Sequence, residues 1–207
     1  MIDFEQQITK FKESAKENSV SYSLDRVTEL LARREYCQQE LQHILEVYSF
    51  AVVLLQQEGM TDDSTRKVVL IAAIIHDVGK YLEDESLKYH TELTSQHMTQ
   101  FIDSSVESEL IDRVLKCAQR HSSSSKQKPE TLEERIVFDA DNLTIFTEFG
   151  FKRWFFKAEN WGHVKNVQVA DTQLANLYEI ARSGKFLYLA SSKKLLGESF
   201  YARIFSK

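Results

Sequence analysis

The chain has 207 residues, 43% hydrophobic and 28% charged, a balance that suits one globular domain whose core needs no disulfide staple. Its longest wholly apolar run, residues 68–75, is far short of a membrane span, and the N-terminus alternates charge with apolar residues where a secretory signal needs a continuous stretch, so a cytoplasmic protein without membrane contact is expected. A formal charge of −5 argues against a nucleic-acid polymer as partner, and the two cysteines, Cys37 and Cys117, lie in no CxxC or Cys-His spacing and are expected as reduced core residues.

One proline, Pro129, and six glycines leave few breakers, and apolar residues recur at three- and four-residue spacing, so the fold class is all-α. A first helix is predicted over residues 3–17. A second region, 24–58, reads as one long helix or two, ending at Gly59. Within it Ile44, Val47, Tyr48, Ala51 and Leu55 form one apolar stripe, with His43 at its lower end. The next helix opens at Asp62-Asp63-Ser64, runs through VVLIAAII and is expected to stop at Gly79. Being apolar on nearly all sides, it should be the central buried helix. Further helices are predicted over 84–102, 106–120, 131–147, 172–183 and 192–205. Thr131 and Glu134 have the spacing of a capping box, and residues 121–129 form a polar loop. With no internal repeat and no long linker, one domain is expected, with a core over about 38–148 and a helical C-terminal extension over about 149–207.

Charge is unevenly placed: residues 1–150 carry a net −11 and residues 151–207 a net +6. A basic C-terminal quarter folded over an acidic body either completes an anion site or provides simple intramolecular charge complementarity.

His76 and Asp77 stand out because they follow eight apolar residues in the helix expected to be most buried. An ionisable pair there costs several kcal/mol, ~3–5 for an uncompensated charge, and a divalent cation is the most complete compensation for an imidazole beside a carboxylate. Adjacent positions on a helix diverge by about 100°, so both reach one ion only if the last turn opens.

Together with this pair, His43 in HILEV, IIHDVGK over 74–80, His90 in KYHTEL, His121 in AQRHSS and Asp141 in FDADNL follow an order, spacing and helix placement that resembles the HD superfamily of metal-dependent phosphohydrolases. The resemblance covers about 41–143, half of the chain, and the closing FLYLASSKKLLGESFYARIF is similar to the terminal helix of small bacterial members. It implies an HD-type helical bundle. It further implies that His43, His76, Asp77 and Asp141 bind metal, and that His90 and His121 hold a second metal or touch phosphate. A His/Asp set of this hardness suits Mn²⁺, Fe²⁺, Mg²⁺ or Zn²⁺, as one ion or two.

Asp139 and Asp141 are about 200° apart on a helix and should not both reach one metal. The family pattern of Ala-Asp-x-Leu favours Asp141, leaving Asp139 to orient a ligand histidine or face solvent. His97 lies about 10 Å along the axis from His90 and is expected as a surface or packing residue. His163 has no motif around it. The chain departs from the family in reading NLTIF after Asp141, where many relatives place Arg. The segment 149–161, FGFKRWFFKAENW, matches no family motif. Its aromatic and basic residues suit base stacking and phosphate binding, or core packing or a dimer contact.

The implied activity is hydrolysis of a phosphoester or phosphoanhydride in a nucleotide or other small phosphorylated metabolite, as a phosphomonoesterase, phosphodiesterase or pyrophosphohydrolase. Metal-activated water would attack phosphorus, positioned by Asp77. Lys80 either contacts a phosphoryl oxygen or complements the helix dipole. No Gly-rich phosphate loop, GxSxG elbow or HExxH motif competes. The rival readings are a non-catalytic nucleotide-binding HD module, a diiron oxygenase on the same scaffold and a metal-free helical scaffold. Nothing in the sequence opposes a homo-oligomer.

Overall fold

A computed structural model describes residues 4–33, 37–82, 97–123, 125, 127–160, 167–199 and 202, with backbone alone for 156–160 and 167–171. The described residues are helical and contain no strand. In chain order the helices are α1 Phe4–Glu17, α2 Ser21–Leu31, α3 Cys37–Gln57, α4 Asp63–Ile75, α5 Val78–Tyr81, α6 Ser108–Gln119, α7 Leu132–Thr144, α8 Glu148–Asn160, α9 Val167–Arg182 and α10 Ala190–Gly197, with a 3-10 turn at Met98–Phe101 before α6. No helix among the described residues is long and apolar enough to cross a membrane.

The centre of the bundle is α4, buried at every position from Val68 to Ile75. A helix apolar on all sides is stable in water only when neighbours cover every side, and α2, α3, α6 and α7 do so. Asp62 starts α4 by accepting the Thr65 N–H at 2.8 Å. Its opposite end is fixed by where the apolar run stops.

The expected long region resolves into α2 and α3. Helix α3 closes on Gly59, whose φ of +69° allows the Met60 N–H to reach back to the Leu55 carbonyl at 2.9 Å. Thr131 and Glu134 make the predicted capping box, and Glu134 also receives Arg120 at 2.8 Å, tying α6 to α7.

Three expectations are corrected. Helix α4 does not run to Gly79: it ends at Ile75, and α5 continues helically through Gly79. Residues 148–160, inside the expected helical extension but assigned no separate helix from the sequence, form α8, with Phe151, Trp154 and Phe155 partly buried against the core. That spacing of three and four residues is itself helical and was obscured by the charge interleaved with it. The last predicted helix spans Ala190–Gly197 among the described residues. The helix expected over 84–102 lies mostly outside the described residues, and its end is the 3-10 turn. Cys117 is buried in the core and Cys37 only half-buried against it, and both are free thiols.

Candidate metal centre

The backbone break between α4 and α5 creates the site. His76 keeps helical angles, φ −52° and ψ −34°, whereas Asp77 turns to φ −105° and ψ 4°. That turn swings the Asp77 carboxylate back beside its neighbour, so the two ligating atoms, His76 Nε2 and Asp77 Oδ2, come within 3.4 Å.

Helices α3, α6 and α7 deliver the remaining groups. His43 Nε2 lies 3.4 Å from His76 Nε2, 3.6 Å from Asp77 Oδ2 and 3.3 Å from Asp141 Oδ1. Asp141 Oδ1 is 3.7 Å from His76 Nε2, and His121 Nε2 is 3.3 Å from Asp77 Oδ1. Four of these five residues are buried, while the Asp141 side chain keeps 20% of its exposure and is the member facing solvent. Groups of three among them, His43-His76-Asp77 and His76-His121-Asp141, have ligating atoms close enough to hold one metal ion.

Hydrogen bonding fixes which way the imidazoles point their lone pairs. His76 Nδ1 donates to the Ala73 carbonyl at 2.8 Å, and His121 Nδ1 donates to the Ala118 carbonyl. A carbonyl only accepts, so Nδ1 carries the proton in both rings and Nε2 faces the cluster as a lone pair. His43 Nδ1 sits 3.4 Å from Thr144 Oγ1, whose own hydrogen goes to the Asp141 carbonyl at 2.7 Å. The outcome is a buried set of acceptors pointing at one another. Asp77 Oδ1 is buried and accepts no hydrogen bond among the described residues. Only positive charge stabilises such an arrangement, and the donor set of neutral imidazoles and anionic carboxylates fits a divalent cation.

Electrostatics point the same way. Burial lowers the pKa of His43, and the Arg153 charge lowers it further, against Asp141 and Asp77. For His76 burial also pulls downward, but the Asp77 carboxylate overrides it and leaves the pKa raised. Burial would raise Asp77, yet the Lys80 ammonium, 2.6 Å from Oδ2, and then His76 hold it well below the usual carboxylate range. Asp141 is likewise held low, with burial outweighed by His43 and His76. Both carboxylates therefore stay anionic at neutral pH.

A family model for the HD domain matches residues 41–145, the span that contains His43, His76, Asp77, His121 and Asp141. The chain belongs to the HD domain family. Within it, the chain is 28% identical over 112 residues to a ribonuclease Y of Pseudothermotoga lettingae, a stretch covering 54% of this chain and 19% of that protein, so it spans about a fifth of that relative's length. The crystal structure of Bacillus subtilis YpgQ in complex with ADP shares the fold, with a TM-score of 0.62 at 19% identity, covering 89% of this chain and 92% of that one. HD domains are generally metal-dependent hydrolases, and the His/Asp cluster needed to hold a metal is present here.

Two residues named from the sequence are placed elsewhere. Asp139 neither orients a ligand histidine nor faces solvent: it is buried and accepts the backbone N–H groups of Tyr188 and Leu189, the latter at 2.8 Å, at the start of α10. His97 is exposed at the start of the 3-10 turn. His90 and His163 lie outside the described residues. Sequence reasoning missed Thr144 and the network formed by Glu40, Tyr81 and Arg153. For the two carbonyl partners a signal existed: Ala-x-x-His occurs at both 73–76 and 118–121.

Proposed function

We propose that this chain is a metal-dependent phosphohydrolase acting on a nucleotide or another small phosphorylated metabolite. The observation that carries the reading is the convergence of imidazole nitrogens and carboxylate oxygens of His43, His76, Asp77, His121 and Asp141, separated by 3.3–3.7 Å in a buried cluster. These residues would hold Mn²⁺, Fe²⁺, Mg²⁺ or Zn²⁺, with His90 completing a second position or contacting phosphate. The helical core over about 38–148 and the extension over about 149–207 would act as one domain.

A bound divalent cation supplies Lewis acidity and a water acidified toward neutral pH. The chain's own residues do the rest. Asp77, kept anionic by Lys80, would be one of the metal's ligands and would position the attacking water. Lys80 has a side chain 36% exposed, so its ammonium can hold Asp77 and also meet a phosphoryl oxygen as negative charge grows. The buried histidines, fixed through Nδ1, keep their lone pairs directed and exclude bulk water. ADP in the structure of YpgQ supports a nucleotide as the substrate class.

The test pairs metal analysis of protein purified without chelator with a screen of phosphorylated metabolites for phosphate release. Bound divalent metal and release of phosphate or pyrophosphate from at least one nucleotide are expected. Tightly bound iron with O₂ consumption and no phosphate release would replace this reading with the oxygenase one. Nucleotide binding without turnover would replace it with the non-catalytic module.

A further inference from the structure

One guanidinium beside the centre is not used by the chemistry above. Arg153 lies on α8, outside the residues matched to the HD family. Its Nη2 donates to Glu40 Oε2 at 2.6 Å, and the Tyr81 hydroxyl donates to the same oxygen at 2.8 Å. Glu40 precedes His43 by one turn of α3, and Tyr81 follows Asp77 by one turn, so this network borders the cluster on its His43 side.

The bonding of Arg153 is incomplete for a residue placed so deeply. A guanidinium carries five N–H donors in a planar fork, and among the described residues Arg153 makes one hydrogen bond. Its Nε is buried with no hydrogen-bond partner among the described residues, while the side chain as a whole remains 13% exposed. An arginine retained for an ion pair alone would engage a carboxylate with both prongs. Here the contact is end-on, to an oxygen already shared with Tyr81. The spare donors match the paired oxygens of a phosphate.

Building on the proposed phosphohydrolase reading, we infer that Arg153 is the phosphate anchor of the site: α8 brings it from outside the HD core, its Nη2 gives one hydrogen to Glu40, and its remaining N–H groups bind phosphate oxygens of the substrate. Residues whose only partner is Glu40 would respond to loss of either member alike. A phosphate anchor would not.

The experiment uses the full chain loaded with metal and inorganic phosphate as the probe, measured by calorimetry and as a competitive inhibitor. Arg153→Ala should weaken phosphate binding about 10–100-fold, the usual loss for a charge-assisted hydrogen bond, and raise KM similarly with a smaller effect on kcat. Arg153→Lys should recover only part of this, because an ammonium lacks the fork. Glu40→Gln frees the guanidinium and should leave phosphate affinity equal to or above that of the parent, even as melting temperature falls. Arg153→Ala and Glu40→Gln that lower melting temperature together while phosphate affinity stays at the parent value would overturn the inference, as would a parent protein that binds no phosphate. If Arg153→Ala does not fold, Arg153→Lys and Glu40→Gln still give opposite expectations. Absence of turnover on every metabolite would instead overturn the phosphohydrolase reading and leave the phosphate-binding comparison intact.

Discussion

Replacing Asp139 by Asn changes no shape and isolates what its carboxylate does. Oδ2 receives the Leu189 N–H at 2.8 Å, and the Tyr188 N–H is shared between Oδ1 at 3.0 Å and Oδ2 at 3.1 Å, all with the residue buried. Burial pushes the Asp139 pKa up, while these N–H groups stabilise the charged form. An amide has a single accepting oxygen, so Asp139→Asn keeps one bond and turns its NH₂ toward the other N–H. Losing one hydrogen bond to a charged group and creating one donor-donor contact should cost about 2–4 kcal/mol. For a chain of this size that is a fall in melting temperature of about 4–16 °C. Denaturation followed by circular dichroism, with metal content measured on the same sample, checks this. Because α10 packs on α3 as well as α7, the loss should appear as destabilisation with metal content retained. A melting temperature within a degree or two of the parent would refute the argument that Asp139 clasps the C-terminal helices to the core.

The other expectations concern the centre and its borders. Asp77→Ala should abolish phosphate release and reduce bound metal, Lys80→Ala should keep the metal and slow hydrolysis by about 10²–10³, and the exposed His97 changed to Ala should do neither; an Asp77→Ala protein keeping metal and activity would end the ligand assignment. Glu46, half-buried and bonded to Thr147 at 2.9 Å, has its pKa raised to about 7, first by burial. Because the folded state then binds the proton more tightly than the unfolded one, stability should fall as pH rises from about 4.5 to about 7. Glu46→Gln should remove that slope and stabilise the protein at pH 8 by about 1–3 kcal/mol, read from urea melts across pH. Gly150→Ala should shift α8, since a Cβ there would be driven into the Thr144 carbonyl. It should therefore weaken phosphate binding through Arg153 as well as lower stability, and a crystal structure with α8 unmoved would contradict this.

Much of the fold was legible because α4 is extreme: eight apolar residues following the Asp62 start signal, in a chain with few breakers, read as a helix covered on all sides. The capping box at Thr131 and the turn at Gly59 were legible for the same kind of reason, each requiring a particular residue type at one position. The position of Gly79 misled because a glycine signals a helix end only when the backbone needs positive φ, and here it stays helical. Asp139 escaped because its partners are backbone N–H groups near residue 188, and no side chain advertises a backbone donor. Arg153 escaped for a related reason, since Glu40 is 113 residues away and the pair exists only once α8 lies across α3.

Where the helices end explains why the cluster favours a cation beyond its two carboxylates. His76 caps the C-terminus of α4, His121 follows the C-terminus of α6 by two residues, and Asp141 occupies the last turn of α7. Each helix C-terminus carries about half a negative charge on its unpaired carbonyls. Two of those carbonyl groups, from Ala73 and Ala118, accept the Nδ1 hydrogens of His76 and His121 and so pass their polarisation to the ligating nitrogens. The bundle thus concentrates three negative helix ends on one buried point, and the same hydrogen bonds that satisfy those ends set the direction of the lone pairs. Removing one carboxylate, as in Asp141→Asn, should therefore weaken metal binding without abolishing it, whereas a proline that breaks the last turn of α4 should abolish it even with every ligand side chain present.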